Sequence, residues 1–322
     1  MKSKIMTAVV GLSFGAMIMS QAALAQGFQS LSPEEKRAKL GQFLRARNAR
    51  GPAPVVNADN YTLRADVAYG PAPLEKLDVY TPKSSQGAAP ILMFVHGGGW
   101  SKGDKRSADH AEKASNYTAN GIVFVGVNYG LAPQVVHPKQ VEDIADALLW
   151  VKKHATEIGG DPNRIYLMGH SAGAQLVDLL GTNDRFLKSL GLSLDDIKGV
   201  ISLDTASLDL GRRVGDESFE TGLVGPMITA AFGSDPKQLA DGSPTLNIHA
   251  GTHYPPFLMY CGSKRTNCVE QHQTFAETMK RAGGQVIVRQ VPLSHRDINR
   301  QSGQADSEIF QAALKMVKGE QP

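Results

Sequence analysis

Gly169-His170-Ser171-Ala172-Gly173 places a serine between two glycines, after an apolar run at 165–168 and before a helical pattern that begins at Ala172. A serine hydroxyl becomes a useful nucleophile only when a base takes its proton and fixed donors hold the negative oxygen its attack creates. The flanking glycines permit a bend sharp enough to lift Ser171 out of the end of a sheet. Alone the pattern is weak, arising by chance ~0.2 times in a chain of this composition. Indeed Gly11-Leu12-Ser13-Phe14-Gly15 matches it as well. Only the stretch around Ser171 reads as a strand-to-helix turn.

His96-Gly97-Gly98-Gly99-Trp100, directly after the apolar run 91–95, is the more specific signal. A histidine followed by three glycines arises by chance in ~0.01 of such chains. Consecutive glycines let neighbouring N–H groups turn toward one point with no Cβ in the way. Gly98 and Gly99, with Ala172 just past the serine, are therefore the expected oxyanion hole; a plain glycine-rich turn is the bland alternative. Trp100 is expected to wall a substrate pocket beside that hole, with simple core packing as the other reading. Of nine histidines, only His295 follows the last apolar run, at 286–291, so it is the expected general base. His170 reads as a packing residue turned away from the hydroxyl. His249 and His253 straddle Gly251 in a Gly/Thr/Pro stretch, a poor helical metal pair, and no H-E-x-x-H occurs. Neither a metal nor a cofactor is expected.

These residues need a scaffold that brings distant stretches to one edge. Short β-like runs alternate with helical ones along the chain: edge strands at 61–67 and 76–80, buried strands at 91–95 and 122–127, and further strands at 165–168, 200–203, 257–260 and 286–291. Helices are expected at about 109–120, 141–158, from 172, 269–282 and 306–318. Such alternation implies an α/β fold, a mostly parallel central sheet with helices on both faces. Residues 205–255 break the rhythm and read as an insertion over the carboxyl edge of the sheet. The first 25 residues, with Lys2 and Lys4, an apolar stretch and Ala23-Leu24-Ala25, have the form of a cleaved signal peptide, so an exported, periplasmic or secreted product is expected. Residues 26–60 read as a helix and linker, and 61–322 as the main domain. Lys+Arg total 34 against 31 Asp+Glu, without a run of five like charges, so no nucleic-acid footprint is expected. No run long enough for a membrane span follows residue 25.

Taken together, His96-Gly97-Gly98-Gly99-Trp100, Asn128-Tyr129-Gly130-Leu131-Ala132-Pro133, Gly160-Asp161-Pro162-Asn163-Arg164-Ile165 and Gly169-His170-Ser171-Ala172-Gly173 resemble the α/β-hydrolase fold. Within it the chain is similar to the hormone-sensitive-lipase-like and feruloyl-esterase-like branch, which includes kynurenine formamidases. The likeness runs from about residue 61 to 317, with Gly130 standing where that branch usually has Arg. It implies a serine esterase of small-molecule esters that forms an acyl-enzyme. It also implies an acid in the loop after the 257–260 strand, yet that loop, Cys261-Gly262-Ser263-Lys264-Arg265-Thr266-Asn267-Cys268, has no carboxylate. Asp204, one strand earlier at the same edge, is the leading substitute; Asp209, Glu270 or no acid are the alternatives, and Asp297 lies too close to His295 in sequence. Arg265 reads as a cation that would disfavour an imidazolium. Cys261 and Cys268 are expected to form a disulfide closing the loop, a bridge contributing roughly 2–3 kcal/mol. Aryl-formamide hydrolysis and a non-catalytic ligand-binding role are the competing functions.

Overall fold

The computed structural model describes residues 58–84, 88–106, 108–214, 221–263, 265 and 267–322. The expected signal peptide and residues 26–57 of the expected helix and linker lie outside them. Eight strands form one sheet: β1 (Tyr61–Ala68), β2 (Lys76–Pro82), β3 (Ala89–Val95), β4 (Val123–Val127), β5 (Gly160–His170), β6 (Val200–Leu203), β7 (Phe257–Gly262) and β8 (Val286–Val291). Their order is β1-β2-β4-β3-β5-β6-β7-β8. β1 and β2 pair antiparallel with their neighbours; from β4 to β8 every pairing is parallel.

Successive residues on a strand face opposite sides of the sheet, so a strand covered on both faces must be apolar throughout. In β3, Ile91, Met93 and Val95 join one core and Leu92 and Phe94 the other. Helices α2 (Lys139–His154), α3 (Ala172–Thr182) and α8 (Cys268–Arg281) supply side chains to the first core. Helices α1 (Ala108–Ala119) and α10 (Glu308–Lys318) supply the second, where Tyr117 packs on Phe310 with ring centres 4.6 Å apart.

β2 corrects the expectation of two edge strands. It lies inside the sheet between β1 and β4, with Leu77 and Val79 in one core and Tyr80 in the other. Its Asp78 is buried and neutralised by Lys105 at 2.9 Å and by Arg106 Nε at 3.2 Å. The exposed edges are β1 and β8.

Between β6 and β7 the described residues form α5 (Leu210–Val214), α6 (Thr221–Phe232), α7 (Pro236–Asp241) and a 3-10 turn (Pro244–Asn247). This segment is seated on the loops after β3 and β4: Phe232 meets the Trp100 ring edge-on at 5.2 Å, and His137 N donates to Ala231 O at 2.8 Å. Two further helices, α4 (Arg185–Lys188) and α9 (His295–Gln301), complete the fold. No helix among the described residues is long and apolar enough to cross a membrane.

Candidate active site

Because β3, β5, β6, β7 and β8 run parallel, the residues that follow each one emerge at a common edge. Gly97–Gly99 follow β3, Ser171 follows β5, Asp204 follows β6 and His295 lies just past β8.

Ser171 occupies the bend between β5 and α3 at φ 57°, ψ −117°. Its backbone is tied on both sides: Ser171 N donates to Leu203 O at 3.0 Å, and Ser171 O accepts from Gln175 N at 3.1 Å and Ala206 N at 3.0 Å. Five non-glycine residues with positive φ occur among the described residues, and three of them are Trp100, Ser171 and Asp204. Such conformations cost of order 1–3 kcal/mol each, so their concentration at one edge marks a functional site.

The glycine loop approaches the serine closely. A Cβ built on Gly97 would lie 3.0 Å from Ser171 Cβ and 2.8 Å from His170 O. Gly98 (φ 130°) and Gly99 (φ 59°) adopt conformations that side chains avoid, and their added Cβ atoms would meet Lys102 O at 2.0 Å and Met227 Sδ at 2.6 Å. Glycine is required here on both counts.

Trp100 corrects the pocket-wall expectation. It is completely buried, its Nε1 donates to Gln175 Oε1 at 2.9 Å, and its carbonyl accepts from Gln140 Nε2 at 2.9 Å. A wide indole at φ 56° thus anchors the glycine loop to α2 and α3 from the core side.

His295 Nδ1 donates to Asp204 Oδ2 at 2.5 Å. Asp204 is fully buried at φ 50°; its Oδ1 accepts from Gly262 N at 3.0 Å and from Cys268 Sγ at 3.1 Å. Arg265 Nη1 reaches Asp204 Oδ2 at 2.9 Å and the carbonyls of Asp204 and Thr205 at 3.2 and 3.3 Å. Burial by itself would raise the Asp204 proton affinity. The His295 hydrogen bond, the Arg265 charge and the Gly262 N–H together outweigh it and hold the carboxyl far below the usual carboxylate range. Arg265 is thus spent on the carboxylate, which corrects its reading as a cation opposed to the imidazole alone.

The other candidate acids are engaged elsewhere. Asp209 Oδ1 accepts from Arg212 N at 3.2 Å, and Glu270 pairs with Arg212 at 2.7 Å on the surface. Asp297 belongs to the cap of α9, where Ser294 Oγ donates to its Oδ2 at 2.6 Å. That helix has a local signal, Ser294-x-x-Asp297, which sequence reasoning left unused; it makes His295 the first helical residue.

His170 was also underestimated. Its ring packs on the His295 ring at 4.5 Å, and its Nε2 donates to His295 O at 3.0 Å. Burial first, then the neighbouring His295, depresses its proton affinity well below that of a free imidazole. A neutral His170 therefore fixes the position of His295 from the residue preceding Ser171.

The expected Cys261–Cys268 disulfide is absent: both thiols are free and buried. Cys268 Sγ instead serves as a donor to Asp204 Oδ1, a bond that requires the thiol proton a bridge would remove. The hydrogen bond with Cys261, and then burial, keep the Cys268 thiol protonated.

Asp178 on α3 lies in the same polar interior, where its Oδ2 accepts from Ser202 Oγ at 2.8 Å. Burial pushes its carboxyl up to about 7. Its folded-state affinity for a proton thus exceeds that of the unfolded chain. From about pH 4 to 7 the native state holds a proton the unfolded state has lost, so stability falls as pH rises, at about 1.4 kcal/mol per pH unit. Asp178→Asn is expected to remove this slope, so that its unfolding free energy gains on the wild type between pH 5 and 7 in urea titrations. Parallel pH profiles for the two proteins would contradict the assignment.

Comparison with known proteins adds to this geometry. The BD-FAE family model matches residues 77–277. Carboxylesterase NlhH of Mycobacterium tuberculosis is 42% identical over 87 residues, 27% of this chain and 27% of that protein. The probable isoprenylcysteine alpha-carbonyl methylesterase ICMEL1 of Arabidopsis thaliana is 28% identical over 259 residues, 74% of this chain and 52% of that protein. The chain thus spans about half the length of these curated relatives or less. The solved structure of esterase B from Lactobacillus rhamnosis superposes with a TM-score of 0.70 at 19% identity, covering 92% of this chain and 95% of that one. EstE1, a thermostable carboxylesterase cloned from a metagenomic library, gives 0.64 at 24% identity over 91% and 99%. The fold is the α/β-hydrolase fold.

Proposed function

Because the chain belongs to the BD-FAE family, we propose that it hydrolyses carboxylic esters of small molecules through an acyl-enzyme on Ser171. The observation that carries this reading is the Asp204–His295 hydrogen bond formed beside the strained Ser171 turn. His295, held by Asp204 through Nδ1, leaves Nε2 to take the Ser171 proton as Oγ attacks the ester carbonyl. The N–H groups of Gly98, Gly99 and Ala172 receive the oxyanion. The imidazolium then returns the proton to the leaving alcohol, and water, deprotonated by the same His295, releases the acid. The carboxylesterase and methylesterase names of the relatives support an ester rather than an amide substrate.

The test compares p-nitrophenyl acetate with an N-formyl anilide on purified protein. The ester is expected to turn over and the anilide to turn over far more slowly; the reverse ranking would favour aryl-formamide hydrolysis. Equal inertness to both would favour a binding role. We also infer export, on the form of residues 1–25; a product from an exporting host that begins at Gln26 would support it, and an uncut chain would not.

Gly98→Ala probes the oxyanion loop. Its new Cβ would meet the Lys102 carbonyl at 2.0 Å, a backbone atom that cannot rotate away, so the loop must shift. Losing one aligned donor costs roughly 10²–10³ in kcat. We expect a loss of that size with KM changed much less, in steady-state assays of folded protein; kcat near that of the wild type would remove Gly98 from the hole.

A further inference from the structure

We propose that Cys261, Cys268 and His272 form a binding site for a thiophilic divalent cation, lying against the carboxylate that orients His295. Cys261 is near the end of β7, Cys268 opens α8 and His272 is one helical turn further, so all three point into the β7–α8 junction. One ligand atom from each lies within 4.8 Å of the other two, and all three residues are buried. Cys268 Sγ and His272 Nδ1 are 3.6 Å apart. That is the edge of a tetrahedron with a metal–sulfur bond of about 2.3 Å and a metal–nitrogen bond of about 2.0–2.1 Å. Asp204 Oδ1, 3.1 Å from Cys268 Sγ, adjoins this trio without belonging to it, so a solvent molecule would complete the tetrahedron.

A second, independent feature favours ligation. His272 Nε2 and Asp178 Oδ1 are both buried without a hydrogen-bond partner, although Asp178 and His272 are close enough to influence each other's charge. In the apo protein His272 Nδ1 donates to Cys268 O at 2.7 Å. Coordination through Nδ1 gives up that bond and places the imidazole proton on Nε2, the ring nitrogen that is buried without a partner, in the neighbourhood of Asp178. A ligating histidine backed by a carboxylate is the usual arrangement around such metals. The balance is simple: two S–H bonds break, their protons pass to solvent, two metal–sulfur bonds form and the metal keeps its oxidation state. The two thiolates cancel the charge of the cation, so the site adds no net charge next to Arg265.

Occupancy has a consequence for catalysis, and this part rests on the reading of Asp204 and His295 given above. Cys268 ceases to donate to Asp204 Oδ1, an oxygen that then keeps the Gly262 N–H but loses its thiol donor, so Asp204 shifts from its alignment with His295 and ester turnover falls.

The experiment titrates cadmium into the full chain, reduced and then freed of reductant under argon. It follows the thiolate-to-metal charge-transfer absorption, with zinc as the competitor, and turnover in parallel. One equivalent of cadmium is expected to saturate the band and to be displaced by zinc. Cys261→Ser and Cys268→Ser should each abolish the band, and His272→Gln should weaken binding by ~10-fold or more. Circular dichroism identifies any variant that fails to fold, and the remaining two then decide. The site is overturned by the absence of a band, by a band that survives the serine substitutions, or by an intact mass lower by two hydrogens with no free thiol. A saturating band with turnover unchanged would keep the site and overturn its link to Asp204. Loss of the catalytic reading itself would show differently, as protein without turnover before any metal is added.

Discussion

Ser171→Ala is expected to lower kcat/KM for a short-chain ester by about 10⁴–10⁶-fold, leaving the stability of the fold nearly unchanged. The size of the loss follows from the acyl-enzyme route: without Oγ no covalent intermediate forms, and only the residual effect of the oxyanion donors on water attack remains. The small effect on stability follows from the way Ser171 is held. Its turn is secured by backbone bonds to Leu203, Gln175 and Ala206, none of which the substitution touches. Alanine meets the same positive φ as serine, so the strain of the turn is carried over, neither relieved nor increased. Matched steady-state kinetics and thermal melts on the two proteins check both halves. Turnover within ten-fold of wild type would remove Ser171 from the reaction.

Asp204→Asn is expected to damage both catalysis and stability. Asp204 Oδ2 receives donors from His295 and Arg265, and Oδ1 receives them from Gly262 and Cys268. An amide of the same shape carries no charge and turns an N–H₂ group toward at least one of these donors. Without the carboxylate, His295 loses the partner that sets its tautomer and that stabilises the imidazolium, a loss of about 10⁴ in kcat. Arg265, largely buried, loses its counter-charge, which costs about 3–5 kcal/mol. The pH dependence has a definite sign. A folded-state affinity held below the unfolded one contributes stability that is fully present above the unfolded carboxylate range, near pH 4. That contribution shrinks as pH falls toward the folded value. The stability gap between wild type and variant should therefore be constant from about pH 5 upward and close below about pH 4. A kcat within ten-fold of wild type would mean that another group orients His295.

The residues behind these two outcomes differ in how far the sequence reveals their roles. The strands are legible because burial on both faces forces a local apolar run, as in β3 and β4. The Ser171 turn and the glycine loop are legible because each depends on local backbone geometry that only certain residues allow. β2 is less so: its Asp78 is buried against Lys105 and Arg106 from a later loop, a neutralisation that leaves no mark in the residues beside it. The choice among Asp204, Asp209, Glu270 and Asp297 is likewise tertiary. Asp204, Asp209 and Glu270 each have a plausible place in the chain, and only the pairing of β6 with β7 sets Asp204 beside Gly262, Cys268 and Arg265. For Trp100, residue type permitted either a pocket or a core position. The answer comes from Gln140, Gln175 and Phe232, three partners far away in the chain. The free thiols follow the same rule, since Cys268 is committed to an acid 64 residues earlier.

Covalent labelling with a fluorophosphonate is the most direct test of the proposed activation of Ser171 by His295. Intact mass and peptide mapping should show one adduct per chain, located on Ser171, absent from Ser171→Ala and formed far more slowly in His295→Ala. An unlabelled Ser171 in protein that still turns over ester, or an adduct on a different residue, would contradict it.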